Sequence, residues 1–243
     1  MHKGKSIMKK GDSKKLAFKA AFVATLPILT GFIFIGSVYG ILMNAKGYGP
    51  LWSVLMSAIA YCGSMQFLAI TMLATAFDPL QAFLLALMVN ARHLFYGISM
   101  LSKYKGVGKI KPFLIYVLTD ETFSIVCHTK PPEGVQEKDY YFFVSLLNYV
   151  YWQLSVLFGA VLGSLISFNT KGLDFVLTAL FVVIFVEQWL ENKNRRAALV
   201  GLACSAICLL LFGKNSFIIP SMIAIMVTLT IADRKEWRKE TCY

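Results

Sequence analysis

The sequence predicts an all-α fold, a polytopic membrane helix bundle of about eight hydrophobic segments, some of them broken or re-entrant. Two observations carry that expectation. Of 243 residues, 57% are hydrophobic and only 15% are charged, which is too apolar for a soluble domain and well short of its usual charge content. The charges are also segregated. Asp, Glu, Lys and Arg are absent from 20–45, 47–77, 140–170, 197–213 and 215–232. About 20 apolar residues cross the roughly 30 Å hydrocarbon core as a helix, and several of these runs are that long.

The apolar segments run 18–43, 51–76, 79–101, 113–127, 142–168, 173–190, 197–212 and 217–232. They make one expected transmembrane domain at 18–232, with a basic tail at 1–17 and a second tail at 233–243. The longest polar connection, 129–139, holds Pro131, Pro132 and Gly134, a loop composition. The run from Ala20 exceeds a signal-peptide core and lacks a small-x-small cleavage site, so it reads as a retained first helix.

A formal charge of +11 does not indicate nucleic-acid binding here, because the basic residues crowd the ends and short connections. Lys3, Lys5, Lys9, Lys10, Lys14, Lys15 and Lys19 precede the first run, and Arg234, Lys235, Arg238 and Lys239 follow the last. Such loops stay in the cytoplasm. Eight crossings would put both termini there, together with Lys193, Arg195 and Arg196. One loop disagrees. Lys103, Lys105, Lys109 and Lys111 would lie outside if the first three segments all cross, unless one of the three re-enters; eight crossings is the expectation adopted.

Several motifs carry no chemistry. Cys62, Cys127, Cys204 and Cys208 lie in apolar runs, where cysteine acts as a small hydrophobe, and no metal or cofactor site is expected. Gly106-Val107-Gly108-Lys109 lacks the spacer and the following hydroxyl of a phosphate loop. Ser64 with His93 raises an intramembrane hydrolase, but no nucleophile elbow surrounds Ser64.

Two segments are expected to be broken. Pro27 removes a backbone donor in the first, and Gly63-Ser64-Met65-Gln66 interrupts the second. Broken helices are tolerated where they face protein or a wet cavity, and their half-helix ends can hold ligand charge. Gly31, Gly36 and Gly40 read as close-packing positions. Asn148, Tyr151, Trp152 and Gln153 either line the same cavity or, the reading preferred, serve the membrane interface or packing.

The informative residues are those that lipid penalises. Segment three carries Asn90, Arg92, His93, Tyr96 and Gly97, segment four carries Thr119, Asp120, Glu121 and Thr122, and segment six ends in Glu187-Gln188-Trp189. A charge at bilayer centre costs about 2.5–3.5 kcal/mol on insertion scales, so such residues face a partner or a polar pathway. Asn90 with His93 and Arg92 with Tyr96 share helix faces. Arg92 alone cannot neutralise Asp120 and Glu121 together, which leaves protonation, a charged His93 or a bound cation for the remainder. A polar pathway accounts for all of these residues. A static Arg92–acid fastener accounts for fewer, and would make the chain a structural or assembly subunit.

These blocks resemble a known family. Pro27 with Gly31 and Gly36, then Gly63-Ser64-Met65-Gln66-Phe67, Asn90-Ala91-Arg92-His93-Leu94-Phe95-Tyr96-Gly97 and Leu118-Thr119-Asp120-Glu121-Thr122-Phe123 are similar to the AzlC family. These are the large subunits of bacterial branched-chain amino acid exporters. The resemblance spans roughly 18–168, with the Asn-Arg-His and Asp-Glu-Thr blocks the most specific. It implies a transporter domain in the inner membrane that exports leucine, isoleucine and valine, with methionine at the edge of the range, driven by the membrane potential or proton gradient. It also implies a small AzlD-type membrane partner, and no enzymatic activity.

A zwitterionic amino acid needs one anchor for its carboxylate and one for its ammonium, beside an apolar pocket. Arg92 or a half-helix end at Gly63-Ser64 suits the carboxylate. Asp120 or Glu121 suits the ammonium, with the other acid or His93 carrying a proton. Gln66, Asn90, Tyr96 and Thr122 would orient the ligand.

Overall fold

The computed structural model describes residues 10–73, 79–129, 131–165, 175, 178–179, 182, 185–186, 189–190, 195–217, 220–221, 223–225 and 227–228. Glu187, Gln188, Lys193 and the tail at 233–243 lie outside these. Among the described residues every regular element is helical: α1 (Lys10–Ala45), α2 (Pro50–Ile59), α3 (Gly63–Leu73), α4 (Pro79–Val89), α5 (Ala91–Met100), α6 (Lys111–Tyr116), α7 (Asp120–His128), α8 (Glu137–Leu165) and α9 (Arg195–Ser216). The chain divides into two compact units, the first ending at Thr170 and the second beginning at Lys171.

Two helices of the first unit are long and apolar enough to cross a membrane, Ser13–Ala45 within α1 and Glu137–Leu165. They run parallel and touch along their length. Phe18 meets Phe143 with ring centroids 5.4 Å apart. Further on, Ser37 Oγ donates to the Ser155 carbonyl at 3.5 Å, and Asn44 Nδ2 to that of Ala160 at 3.4 Å. Glycine makes the approach possible. A Cβ on Gly36 would sit 2.7 Å from that of Ser155, one on Gly40 would strike the backbone of Val156 and Ala160, and one on Gly159 the backbone of Ser37. Small residues let backbones pack where lipid supplies no hydrophobic drive.

Pro27 does not break α1, contrary to the sequence expectation; the helix runs through it. One missing donor is a small loss in 36 residues clamped along α8. Gly31 meets nothing within 4 Å, so of the three glycines only Gly36 and Gly40 serve packing.

The remaining segments of this unit are all interrupted. α2 runs antiparallel to α8, with Ser57 Oγ donating to Gln153 Oε1 at 2.5 Å and Tyr61 against Tyr149 at 5.0 Å. The chain breaks at Ala60–Cys62 and turns. α3 then leads back past Trp152, which a Cβ on Gly63 would meet at 3.1 Å, to Phe67, whose ring meets Tyr39 at 5.6 Å. Helices α2 and α3 thus form a hairpin open toward the Leu165 end of α8.

A second hairpin opens the other way. α6 enters beside the start of α8, where Phe113 meets Phe142 at 5.6 Å. It breaks at Val117–Thr119, and α7 returns. Leu114 from its entry and Val126 from its exit share one buried cluster with Met100, Tyr104 and Tyr140. Lys103 Nζ donates to the Val126 and Cys127 carbonyls at 2.6 and 2.7 Å, capping the negative end of α7. Cys62, Cys204 and Cys208 are free thiols.

Between the hairpins, α4 and α5 form one path kinked at Asn90, which stands before α5 with φ −91° and ψ 0°. Much apolar side chain faces outward, including Phe34, Leu51, Trp52 and Leu154. In the second unit, α9 bends at Gly213, where φ is 70°, and exposes Leu210, Leu211 and Phe212. Contiguous apolar surface on this scale marks a membrane- or protein-covered face.

Candidate functional site

Each predicted site residue lies at or within about two helical turns of a break. Gly63, Ser64 and Gln66 open α3, Arg92, His93 and Tyr96 follow the kink at Asn90, and Asp120, Glu121 and Thr122 open α7. A helix start leaves backbone N–H groups unpaired and carries partial positive charge. Two acids in the first turn of α7 suit that end. Arg92, in the first turn of α5, does not, so its position depends on partners from elsewhere.

Those partners come from both hairpins. Arg92 Nη1 lies 2.5 Å from Asp120 Oδ2, and Nη2 donates to Ser64 Oγ at 2.9 Å. His93 Nε2 stands 3.9 Å from Asp120 Oδ1, too long for a hydrogen bond. The Arg92 and Asp120 side chains remain about a third exposed, at 31% and 36%, although Arg92 Nε and Asp120 Oδ1 are buried without a hydrogen-bond partner. Asn90 is tied in by Cys62, whose thiol donates to Asn90 Oδ1 at 2.9 Å and lies 3.4 Å from Ser64 Oγ. Tyr96 packs edge-on to His93 at 5.8 Å and stacks on Phe123 at 4.4 Å.

Gln66 and Thr122 are fully buried and engaged internally. Gln66 Nε2 donates to the Ala60 carbonyl at 2.7 Å, and its Oε1 accepts from Trp152 Nε1 at 3.1 Å. Thr122 Oγ1 accepts from Asn148 Nδ2 at 3.1 Å and from Thr119 Oγ1 at 3.4 Å. Both fix a break against α8. Tyr116, at the end of α6, donates its hydroxyl to the carbonyls of Ala58 and Ile59, so the second hairpin holds the tip of the first.

The hairpins match position for position. The same spacing separates Ser64 from Asp120, Gln66 from Thr122 and Phe67 from Phe123. The first pair binds Arg92 and the second binds α8. Tyr61 was not singled out by sequence reasoning, and Cys62 was read only as a small hydrophobe, whereas its thiol bonds Asn90. Asn148, Trp152 and Gln153 were assigned to interface or packing, whereas all three hydrogen-bond to residues at or beside the breaks. A usable signal existed: Asn148 and Trp152 are four apart and face the same way.

Half-helices that end inside a bundle and gather charge at their termini define a class, the membrane permeases built from discontinuous helices. The AzlC protein family matches residues 27–166, a stretch that contains both hairpins and all of α8. The chain belongs to the AzlC family. It is 50% identical over 215 residues to the branched-chain amino acid transport protein AzlC of Bacillus subtilis, covering 88% of this chain and 85% of that one. It is 43% identical over 216 residues to a membrane protein of Haemophilus influenzae, covering 88% of each. It is 27% identical over 186 residues to the inner membrane protein YgaZ of Escherichia coli, covering 73% of this chain and 76% of the relative. No solved structure matches the chain.

Proposed function

We propose that the chain is the large subunit of an inner-membrane permease that exports branched-chain amino acids, coupled to the proton gradient. One observation carries the reading: Arg92 is held between Ser64 of one hairpin and Asp120 of the other, where three broken helices converge. Such an arrangement is costly in a bilayer unless it serves a polar pathway. The name of the Bacillus subtilis relative supplies the substrate class.

In this reading both hairpins are re-entrant. At 1.5 Å per residue a ten-residue half such as α2 is about 15 Å long, half the hydrocarbon core. Only α1, the α4–α5 path and α8 of the first unit then cross. Lys103, Lys105, Lys109 and Lys111 fall on the same side as the basic N-terminus, which removes the conflict with the positive-inside rule. The three later apolar segments, read from sequence, bring the basic C-terminal tail to that side as well, the cytoplasm.

The substrate carboxylate approaches Arg92 through Nε, its buried unpaired donor. One of the two acids receives the ammonium, and the other, with His93, carries the proton. Aliphatic side chains differing by a methylene are separated by only about 1–3 kcal/mol, so specificity is broad among leucine, isoleucine and valine. A small AzlD-type membrane subunit completes the transporter. Counterflow of labelled leucine in liposomes containing the full-length chain, with and without that subunit and a pH gradient, tests this. Leucine exchange enhanced by the gradient is expected, and no exchange of any neutral amino acid would refute it.

The 2.5 Å contact between Arg92 and Asp120 also fits a static fastener in an assembly subunit. In that case Arg92→Ala would remove the protein from the membrane, and a paired charge reversal with Asp120→Arg would restore it.

A further inference from the structure

Cys62 lies in the break of the first hairpin, and its backbone is fixed on both sides. Its N–H donates to the Ala60 carbonyl at 2.7 Å, and its carbonyl accepts from the Gln66 N–H at 2.9 Å. The free thiol is therefore aimed rather than loose. It donates to Asn90 Oδ1 at 2.9 Å and lies 3.4 Å from Ser64 Oγ, which accepts from Arg92 Nη2 at 2.9 Å.

The two ends of this chain of contacts dictate its direction. Arg92 can only donate, so Ser64 accepts from it with a lone pair. Asn90 Oδ1 can only accept, so the thiol proton goes there. The proton that remains, on the Ser64 hydroxyl, points to the sulfur, a weak acceptor. Bonds arranged head to tail in this way strengthen one another. Asn90 stands at the N-cap of α5 yet makes no side-chain cap there. Its oxygen, which could accept from a first-turn amide, is held by the thiol instead.

The second hairpin shows why a serine needs this support. At the spacing that relates Ser64 to Asp120, the counterpart of Cys62 is Leu118. The Asp120 carboxylate holds Arg92 by charge at 2.5 Å and needs no thiol beside it. A serine hydroxyl is neutral and rotates, so its lone pair faces the arginine only when another group takes its hydrogen.

We infer that Cys62 is a positioning residue for the Arg92 anchor of the substrate carboxylate: its thiol orients the Ser64 hydroxyl toward the guanidinium and ties the first hairpin to the kink that carries Arg92. It acts through Ser64 and Asn90 rather than on the substrate. With Nη1 on Asp120 and Nη2 on Ser64, the unpaired Nε is presented in one orientation. The inference rests on the amino-acid reading above.

The test is counterflow of labelled leucine in liposomes carrying the full-length chain, comparing Cys62→Ser with Cys62→Ala. Serine donates and accepts in the same sense as the thiol; alanine does neither. Cys62→Ala is expected to raise the KM for leucine about fivefold, the size of one hydrogen bond lost, with maximal exchange rate and membrane abundance unchanged. Cys62→Ser should stay within about twofold of the wild type, because the bonds are kept. A cysteine that only packs as a small hydrophobe predicts the opposite order, with alanine tolerated and the added hydroxyl harmful. That opposite order, an equal KM in all three proteins, a serine variant no better than alanine, or a loss of rate or protein at unchanged KM would overturn the inference. A wild type that exchanges no leucine is a distinct result, which removes the amino-acid reading and this inference with it.

Discussion

Helices α1 and α8 are continuous, whereas the path from α2 to α7 is broken three times, and the two regions divide the work. The continuous pair contacts through glycine and small side chains, with backbones too close for a Cβ at Gly40 or Gly159. The broken region holds Arg92, His93, Asp120 and Glu121, each within about a turn of a helix end. Unbroken helices satisfy their own backbone and can pack tightly. Broken ones leave polar termini that attract charge. The contrast teaches where substitutions should harm the fold and where they should harm transport.

The largest effect is expected in the continuous pair. Gly159→Leu drives a side chain into the Ser37 backbone, a clash worse than ordinary core overpacking of about 1–3 kcal/mol. Immunoblots of membranes should show the protein nearly absent. Normal amounts would mean that α1 and α8 do not cross this closely.

In the broken region, Asp120→Asn keeps the shape but removes the charge facing Arg92. Leucine flux should fall by about 100-fold with the protein still present, because an interaction at the reacting centre rather than packing is lost. Equal losses of protein and flux would dissolve the distinction between the regions.

Trp152→Phe tests the seam between them. It removes the donor to the buried Gln66 Oε1 and should cost about 1–3 kcal/mol, read as a lower melting temperature in detergent with partial loss of flux. The smallest change is expected for Lys103→Met, which uncaps the α7 carbonyls of Val126 and Cys127. A loss of about 0.3–1 kcal/mol should appear as a slight decrease in melting temperature.

The helical class and the convergence of charge were legible in the sequence, because lipid imposes long apolar runs and makes Arg92 and Asp120 conspicuous against them. A break in the second segment was legible too, but it falls at Ala60–Cys62, and Gly63-Ser64-Met65-Gln66, where it was expected, open α3 instead. Those at Asn90 and Thr119 were not announced by glycine or proline at the break itself; they depend on Cys62 and Asn148 arriving from distant positions to bind them. Pro27 misled for the converse reason, since α8 holds α1 helical through it. The lysines at 103–111 raised re-entry as one of two explanations, and only the contacts of α3 with Tyr39 and of α7 with Lys103 show which way each hairpin turns. Asn148 and Trp152 look like membrane-interface residues until Thr122 and Gln66 are seen against them.

The most direct measurement pairs membrane abundance with leucine flux for Arg92→Gln, which keeps polarity and removes the charge that both hairpins hold. The expected result is wild-type abundance with flux reduced by about 100-fold or more. Depleted protein whose remaining molecules exchange leucine at the wild-type rate would show that the arginine is only a fastener.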